Sequence, residues 1–171
     1  MNIEKIENLI NKIPDYPKPG ILFYDISTLI FNKDAFSSCI NYLAEIASNY
    51  EFDHIASIDA RGFIFGSALA YKLDKGLIMI RKKGKLPGKV ISHTYELEYG
   101  SDTLEINVDA KEKKIALVDD LLATGGTLKC AEDLVSEVGG NVVLTVVAIE
   151  LNALKGREKI KSDVFSILSY D

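Results

Sequence analysis

The stretch Ile115-Ala-Leu-Val-Asp-Asp-Leu-Leu-Ala-Thr-Gly-Gly-Thr127 joins an apolar run, two acidic residues and a glycine turn. Residues 114–118 predict a buried strand, and the apolar spacing of residues 128–138 predicts a helix. In the turn between them, the glycines let the backbone approach a ligand closely and the threonines add hydroxyl donors. The helix N-terminus adds a positive dipole end, so this turn predicts a phosphate site.

The acidic pair narrows the class of ligand. Asp119 and Asp120 would repel a bare phosphate bound beside them. A sugar removes this conflict, because its adjacent hydroxyls donate to the carboxylates while its phosphate occupies the turn. The chain contains no G-x-x-x-x-G-K-[ST] pattern and no G-x-G-x-x-G pattern, so a ribose 5-phosphate group suits these residues better than a P-loop nucleotide.

The segment Val118-Asp-Asp-Leu-Leu-Ala-Thr-Gly-Gly-Thr127 resembles the phosphoribosyl pyrophosphate (PRPP) signature of the type I phosphoribosyltransferases. The variant Leu121-Leu122-Ala123 resembles the adenine-using branch of that family. Other segments agree in the family's order and cover nearly the whole chain: Pro19-Gly-Ile-Leu-Phe-Tyr-Asp-Ile-Ser27, Asp59-Ala-Arg-Gly-Phe-Ile-Phe-Gly66, Arg81-Lys-Lys-Gly-Lys-Leu-Pro-Gly88, Tyr95-Glu-Leu-Glu-Tyr-Gly100 and Glu150-Leu-Asn-Ala-Leu-Lys-Gly-Arg157.

The expected fold is α/β, because strands and helices alternate over the middle and C-terminal thirds. The resemblance implies a type I phosphoribosyltransferase fold with a mostly parallel central sheet flanked by helices. We expect one domain over residues 1–171, with a small hood from residues 1–33 and a flexible β-hairpin lid over residues 82–108. Helices are predicted at residues 2–13, 34–50, 63–73 and 128–138. Strands are predicted at residues 21–23, 54–58, 77–81, 90–95, 103–108, 114–118, 142–149 and 165–168.

The resemblance implies transfer of the phosphoribosyl group of PRPP to adenine, which gives AMP and pyrophosphate. It assigns the 5′-phosphate to Ala123, Thr124, Gly125, Gly126 and Thr127, and the ribose hydroxyls to Asp119 and Asp120. Pyrophosphate would be held by Asp59, Ala60, Arg61, Arg81, Lys82 and Lys85. The negative charge of the pyrophosphate leaving group grows as the glycosidic C–O bond breaks. The planar guanidinium of Arg61 can donate two N–H bonds to this anion, and the cations at 81–85 stabilise its charge.

Adenine would be bound by Leu22, Phe23, Tyr24 and Leu121. The ring of Phe23 would stack on the base, and the backbone of Leu22 and Tyr24 would read its edge. Glu98 is the candidate base for the adenine proton, so the expected catalytic set is Glu98, Asp119, Asp120 and Arg61.

Three positions depart from the family pattern. The family commonly has Ser where Ala60 stands, a basic residue where Tyr24 stands and Pro where Thr28 stands. Backbone contacts survive such changes. Side-chain contacts to phosphate or to the base would be lost.

Composition limits the partners. A net charge of −5 argues against a nucleic-acid binder, and no apolar run is long enough to span a membrane, so we expect a cytoplasmic protein. Cys39 and Cys130 are expected to be buried thiols.

Neither His54 nor His93 has metal-ligand spacing, so Mg²⁺ is expected to arrive on PRPP instead of at a protein-built site. The resemblance also implies a homodimer, in which part of the cluster at residues 81–85 could serve the neighbouring subunit.

Two alternatives stay open. One is a phosphoribosyltransferase for another purine base, hypoxanthine or xanthine. The other is a PRPP-sensing regulator without catalysis. Such regulators usually carry a DNA-binding module, and the predicted helix at residues 2–13 is too short, and without net positive charge, to be one.

Overall fold

The computed structural model describes residues 3–97 and 100–171. Within it the chain forms two compact units, Met1–Tyr42 and Leu43–Asp171. The second unit carries a seven-stranded sheet with the strand order β5-β6-β4-β3-β7-β8-β9. Its strands are β3 (His54–Ile58), β4 (Gly76–Lys82), β5 (Ile91–Leu97), β6 (Gly100–Ile106), β7 (Lys114–Leu122), β8 (Asn141–Leu151) and β9 (Asp163–Tyr170).

Five neighbouring strands, β4, β3, β7, β8 and β9, are parallel. The central strands β7 and β8 are apolar on both faces, as expected for parallel strands covered on both sides. Helix α4 (Gly62–Lys72) packs on β3 and β7, and helix α5 (Gly126–Glu137) packs on β5, β6, β7 and β8. The predicted α/β fold with a mostly parallel sheet is therefore confirmed.

An antiparallel hairpin extends the sheet at one edge. β5 pairs with β6 along its length, and β6 joins the sheet by pairing with the end of β4 at Arg81 and Lys82. This hairpin occupies the predicted lid region, and its antiparallel pairing was predicted correctly.

The first unit contains a two-stranded antiparallel sheet and short helices. β1 (Asn11–Pro14) pairs with β2 (Leu22–Asp25), and they are flanked by α1 (Ile3–Glu7) and α2 (Ser27–Phe31). Helix α3 (Lys33–Ala47) follows and runs past the boundary of the unit.

The predicted helix over residues 2–13 is wrong in its second half. The helix ends at Glu7, and Asn11–Pro14 is a strand because its backbone pairs with Leu22–Asp25. The apolar spacing was compatible with a helix, but five helical residues are a marginal helix and cross-strand pairing prevails. Ile13 is accordingly 40% exposed, although the helical pattern placed it inward.

The strand predicted at residues 114–118 is longer than expected, since β7 continues to Leu122. Asp119 and Asp120 therefore lie within the strand, paired to β8, instead of in the turn after it. None of the helices among residues 3–97 and 100–171 has the length and apolar character needed to cross a bilayer. Cys39 and Cys130 are buried free thiols, as predicted, and burial raises their pKa values to about 12 and about 11.

Candidate active site

Three parallel strands deliver the predicted site residues to one edge of the sheet. Ile58 pairs with Ile80, and Ser57 pairs with Val118. The residues that follow these pairs therefore emerge together at the carboxyl ends of β3, β4 and β7. In open α/β sheets, ligands bind at this edge.

The residues Ala123, Thr124, Gly125, Gly126 and Thr127, here called the phosphate loop, join β7 to α5. Gly125 is in the left-handed conformation, with a φ of 78°, which favours glycine. Helix α5 begins at the next residue, and the backbone N–H of Lys129 donates to the Gly125 carbonyl at 2.9 Å. The first amides of α5 thus have no helical carbonyl partner and can bind an anion.

One cavity of about 190 Å³ brings much of the predicted site together. Its lining consists of Arg61 and every residue from 119 to 128, which includes both aspartates, Leu121 and the whole phosphate loop. Within the described ranges 3–97 and 100–171, the lining does not include Asp59, Ala60, Arg81, Lys82 or Lys85.

The acidic pair is buried, with Asp119 8% exposed and Asp120 5% exposed. The backbone N–H of Asp120 donates to Asp119 Oδ1 at 2.9 Å, and Arg61 Nε lies 2.9 Å from Asp120 Oδ2. Burial raises the pKa of Asp119 well above its usual value, and the charge of Asp120 raises it further. Burial also raises the pKa of Asp120, although the Arg61 guanidinium opposes this. Holding both charges without a ligand therefore costs free energy.

Gly62, at the start of α4, permits close approach to this pair. A Cβ at this position would lie 2.7 Å from Asp119 Oδ1 and 3.2 Å from the Val118 carbonyl oxygen. A side chain would therefore push α4 away from β7. Gly62 lies within the motif segment Asp59–Gly66, but the sequence pattern predicted no role for it.

Three of the predicted pyrophosphate residues, Arg61, Arg81 and Lys82, are paired with carboxylates. Arg81 Nε lies 3.1 Å from Asp59 Oδ2, and the Arg81 Nη1 atom donates to the Lys85 carbonyl at 3.2 Å. The peptide bond between Asp59 and Ala60 is cis. Lys82 pairs with Asp102, a residue on β6 that the sequence did not single out.

Tyr95 links this basic cluster to the phosphate loop. Its hydroxyl accepts hydrogen bonds from Lys82 Nζ and from Thr127 Oγ1, both at 3.2 Å. Partial burial works to lower the pKa of Lys82, but its bonds to Asp102 and Tyr95 outweigh this and raise it. The sequence placed Tyr95 in the hairpin without a role, since strand periodicity does not reveal which loop a side chain will reach.

Leu22, Phe23 and Tyr24 lie on β2 in the first unit. Tyr24 is buried, Leu22 is exposed, and the Phe23 ring contacts Tyr16 edge to face with centroids 5.1 Å apart. The Thr28 hydroxyl, where the family usually has Pro, donates to the Leu9 carbonyl. The role of these residues in base binding stays a prediction.

Glu98, the predicted proton acceptor, lies outside the described residues, together with Tyr99. The described hairpin reaches Leu97 on one strand and resumes at Gly100 on the other.

A larger and shallower cavity, of about 600 Å³, lies elsewhere, at the base of the hairpin. It is mostly apolar and contains none of the predicted site residues, so we assign the chemistry to the smaller cavity. Its lining residues are Lys89, Ile91, Ile106, Asn107, Val108, Asp109, Lys111, Glu137, Val138 and Gly139.

Known proteins resemble this chain over most of its length. A family profile described as "Phosphoribosyl transferase domain" matches residues 28–171. An adenine phosphoribosyltransferase from Acidobacterium capsulatum is 50% identical over 99% of this chain and 96% of its own length. One from Rhodospirillum rubrum is 46% identical over 97% of this chain and 98% of its own length.

Solved structures match as well. The adenine phosphoribosyltransferase of Thermoanaerobacter pseudethanolicus superposes with a TM-score of 0.96 at 44% identity, covering 99% of this chain and 100% of that chain. The yeast enzyme, complexed with an imino-altritol bisphosphate and adenine, gives a TM-score of 0.91 at 36% identity, covering 97% of this chain and 98% of that chain.

The parallel sheet, the acidic pair and the glycine loop ahead of α5 are those of a phosphoribosyltransferase. The identities extend over nearly the full length of both chains. The chain belongs to the adenine phosphoribosyltransferase family.

Proposed function

We propose that this chain transfers the 5-phosphoribosyl group of PRPP to adenine, giving AMP and pyrophosphate, and so acts in purine salvage. The observation that carries the proposal is the shared cavity of the phosphate loop, the buried acidic pair and Arg61. Relatives at about half identity over the full chain bear the name of this activity.

The 5′-phosphate binds in the phosphate loop, where the first amides of α5 and the Thr124 and Thr127 hydroxyls donate to its oxygens. The ribose then lies over β7, and its hydroxyls donate to Asp119 and Asp120. These carboxylates also stabilise the positive charge that develops on the sugar. Because the ribose hydroxyls satisfy both buried acids, sugar binding relieves the cost of their burial.

Pyrophosphate binds to the Asp59–Ala60–Arg61 turn and to the cations Arg81, Lys82 and Lys85. Arg61 stands beside Asp120, so it lies between the ribose acids and the departing anion. Its charge and those of the other cations stabilise the negative charge that grows on the leaving group.

Adenine binds against Leu22, Phe23 and Tyr24 of β2. The Phe23 ring stacks on the base, and the backbone of Leu22 and Tyr24 distinguishes its amine donor and ring-nitrogen acceptor from the carbonyl acceptor and ring N–H donor of 6-oxo purines. Glu98 accepts the proton that adenine loses as N9 bonds to C1′.

Mg²⁺ would enter bound to PRPP and not at a site built from protein ligands. The acidic pair fits this role, because Asp119 Oδ1 accepts a backbone N–H and Asp120 Oδ2 lies 2.9 Å from Arg61 Nε. The remaining carboxylate oxygens of Asp119 and Asp120 would accept hydrogen bonds from hydroxyls and from water around the ion. When bound, the ion would neutralise part of the pyrophosphate charge.

The active species is a homodimer. Exposed apolar side chains support this: Ile64 and Tyr71 of α4 are 37% and 92% exposed, and Leu77 and Met79 of β4 are 38% and 46% exposed. Helix α4 begins directly after Arg61, and β4 contains Arg81. A partner subunit bound to these elements would therefore lie close to the pyrophosphate cations.

We place the enzyme in the cytoplasm, where its two free thiols would stay reduced.

The test is release of pyrophosphate from PRPP with magnesium and a panel of bases. Adenine should support release, whereas hypoxanthine, guanine, xanthine and orotate should not. Release with hypoxanthine or xanthine in place of adenine would change the substrate. PRPP binding without release for any base would indicate a regulator.

A further inference from the structure

The segment from Glu150 to Arg157 carries a family motif without a role in the proposed chemistry. It follows β8 as two short 3₁₀ turns, Asn152–Leu154 and Gly156–Lys159. Gly156, at the start of the second turn, is buried and touches the phosphate loop.

The contact is made by backbone on both sides. A Cβ on Gly156 would overlap the Ala123 carbonyl oxygen and would lie 2.8 Å from the Gly125 nitrogen. A Cβ on Gly125 would overlap the Gly156 carbonyl oxygen. The turn and the phosphate loop are therefore in van der Waals contact with no room for a side chain between them.

The turn is held by an ion pair across its base. Arg157 Nε donates to Glu150 Oε1 at 2.9 Å, and Arg157 Nη2 donates to Glu150 Oε2 at 2.5 Å. Arg157 Nη1 donates to the Val164 carbonyl on β9, and the Ser166 hydroxyl donates to Glu150 Oε2 at 2.9 Å. Glu150 is only 5% exposed, so the pair joins the buried end of β8 to β9 and to the turn.

The phosphate loop depends on such support. Gly125, its N-cap residue, has no side chain with which to fix the turn, and Gly126 has none either. An anion site gains affinity when its amides are held in place before the ligand arrives.

We propose that Glu150 and Arg157 are positioning residues that seat Gly156 against the phosphate loop and so fix its amides for the 5′-phosphate. The inference rests on the proposed function, because it assumes that the loop binds the phosphate of PRPP and AMP. It adds residues that reach the substrate through the loop backbone and do not touch it.

Gly156→Ala tests the contact directly. The added methyl displaces the loop, so AMP affinity measured by calorimetry should fall on the order of tenfold. Binding of inorganic pyrophosphate with magnesium should be unchanged, since the residues proposed to bind it lie in the turn after β3, at the end of β4 and just beyond β4. A general loss of stability would weaken both ligands together.

Gly140→Ala is the matched control. A Cβ there would lie 2.9 Å from Val135 Cγ1, so it is also crowded, but it follows the far end of α5. It should lower the melting temperature without changing AMP affinity. Arg157→Lys is a second test of the proposal. Lysine keeps the positive charge but lacks the planar guanidinium that donates to both Glu150 oxygens, so the variant should raise the KM for PRPP more than it lowers kcat.

The outcomes separate the two ideas. Wild-type protein that binds neither AMP nor PRPP would overturn the proposed function. Wild-type protein that binds AMP, with Gly156→Ala and Arg157→Lys equally tight, would overturn this inference alone. Equal weakening of AMP and pyrophosphate, or weakening of AMP by Gly140→Ala, would also overturn it. If Gly156→Ala does not fold, Arg157→Lys decides the matter.

Discussion

The buried acids of β7 make a prediction about single residues that separates stability from activity. Because folding raises the pKa of Asp119, its contribution to stability is full below the ordinary Asp range and is lost as pH rises through the folded pKa. Asp119→Asn removes the charge but keeps the shape. At pH 8 the ligand-free variant should melt about 2–4 °C above wild type, and this gain should shrink towards pH 4.

Activity should fall in the same variant, on the order of 10²-fold in kcat, because a neutral amide stabilises the sugar cation poorly. The control is Asp102→Asn. Partial burial works to raise the pKa of Asp102, but its hydrogen bonds from Lys82 and the Thr103 backbone, together with the charge of Lys82, outweigh burial and lower it. That variant should lose stability at pH 8, and a gain in both variants would contradict this reasoning.

The Tyr95 hydroxyl supports a second residue-scale prediction. Tyr95→Phe keeps the ring but removes the acceptor shared by Lys82 and Thr127. We expect the KM for PRPP to rise about tenfold, as for the loss of one hydrogen bond to a charged group. Steady-state kinetics would measure this.

Thr94→Val is the control for Tyr95→Phe. It removes a hydroxyl pair with Thr103, at 3.0 Å, in the same hairpin, but no contact with the phosphate loop. Its kinetics should match wild type. An equal rise in KM for both variants would show that hairpin stability alone is responsible.

Glu98 gives the third prediction. Glu98→Ala should reduce kcat on the order of 10²-fold with little change in PRPP affinity, because a general base acts in the transition state. Single-turnover measurements with adenine would separate the two effects. Glu98→Gln should be equally slow, and an unchanged kcat in both variants would remove Glu98 from the mechanism.

At the scale of elements, the β8–β9 connection predicts how the fold responds to acid. The hydrogen bond from Arg157 lowers the pKa of Glu150 despite its burial. The stability from this pair is therefore present above the ordinary Glu range and is lost as pH falls through the folded pKa. Glu150→Gln should lower the melting temperature at pH 7, and its difference from wild type should shrink between about pH 5 and pH 3.

Glu51→Gln controls for a general effect of charge removal. Glu51 is 95% exposed and pairs with Lys114 at 3.7 Å, so its loss should change the melting temperature little at any pH. Similar curves for the two variants would argue against a specific role for the buried pair.

Elements with strong periodicity and clear ends were predictable from the sequence. Strand His54–Ile58 was predicted to the residue, and α5 was predicted within two residues at its start. The failures at residues 11–14 and 119–122 have one cause, because each segment is a strand through pairing with another segment, residues 22–25 for the first and β8 for the second. Local spacing carries no information about such partners.

The candidate site shows the same division. Motif residues of one continuous segment, the acidic pair and the phosphate loop, were predicted as a group and do line one cavity. Asp102, the pairing role of Tyr95 and the seat made by Gly156 were not predictable. The bond between Thr127 and Tyr95 joins residues 32 positions apart, and Gly156 contacts Gly125, which lies 31 positions away. Asp102 meets Lys82 only through the pairing of neighbouring strands.

At the scale of the whole molecule, the apolar faces of α4 and β4 predict self-association. Tyr71→Glu combined with Met79→Glu should convert a dimer to a monomer, because each places a charge in an apolar contact. Light scattering after size exclusion would measure the mass. Val108→Glu, at a residue 40% exposed beyond β6, should leave the mass unchanged.

The internal ion pairs of Arg61, Arg81 and Lys82 have a consequence for the end of the catalytic cycle. Under the proposed function, departing pyrophosphate would not leave three unpaired cations behind, because Asp120, Asp59 and Asp102 would pair with these side chains again. Each carboxylate would compete with the product for the same donors, which would shorten the time that the product stays bound. The carboxylates that neutralise these cations in the ligand-free enzyme would thus speed the release of pyrophosphate and the return to the next catalytic cycle.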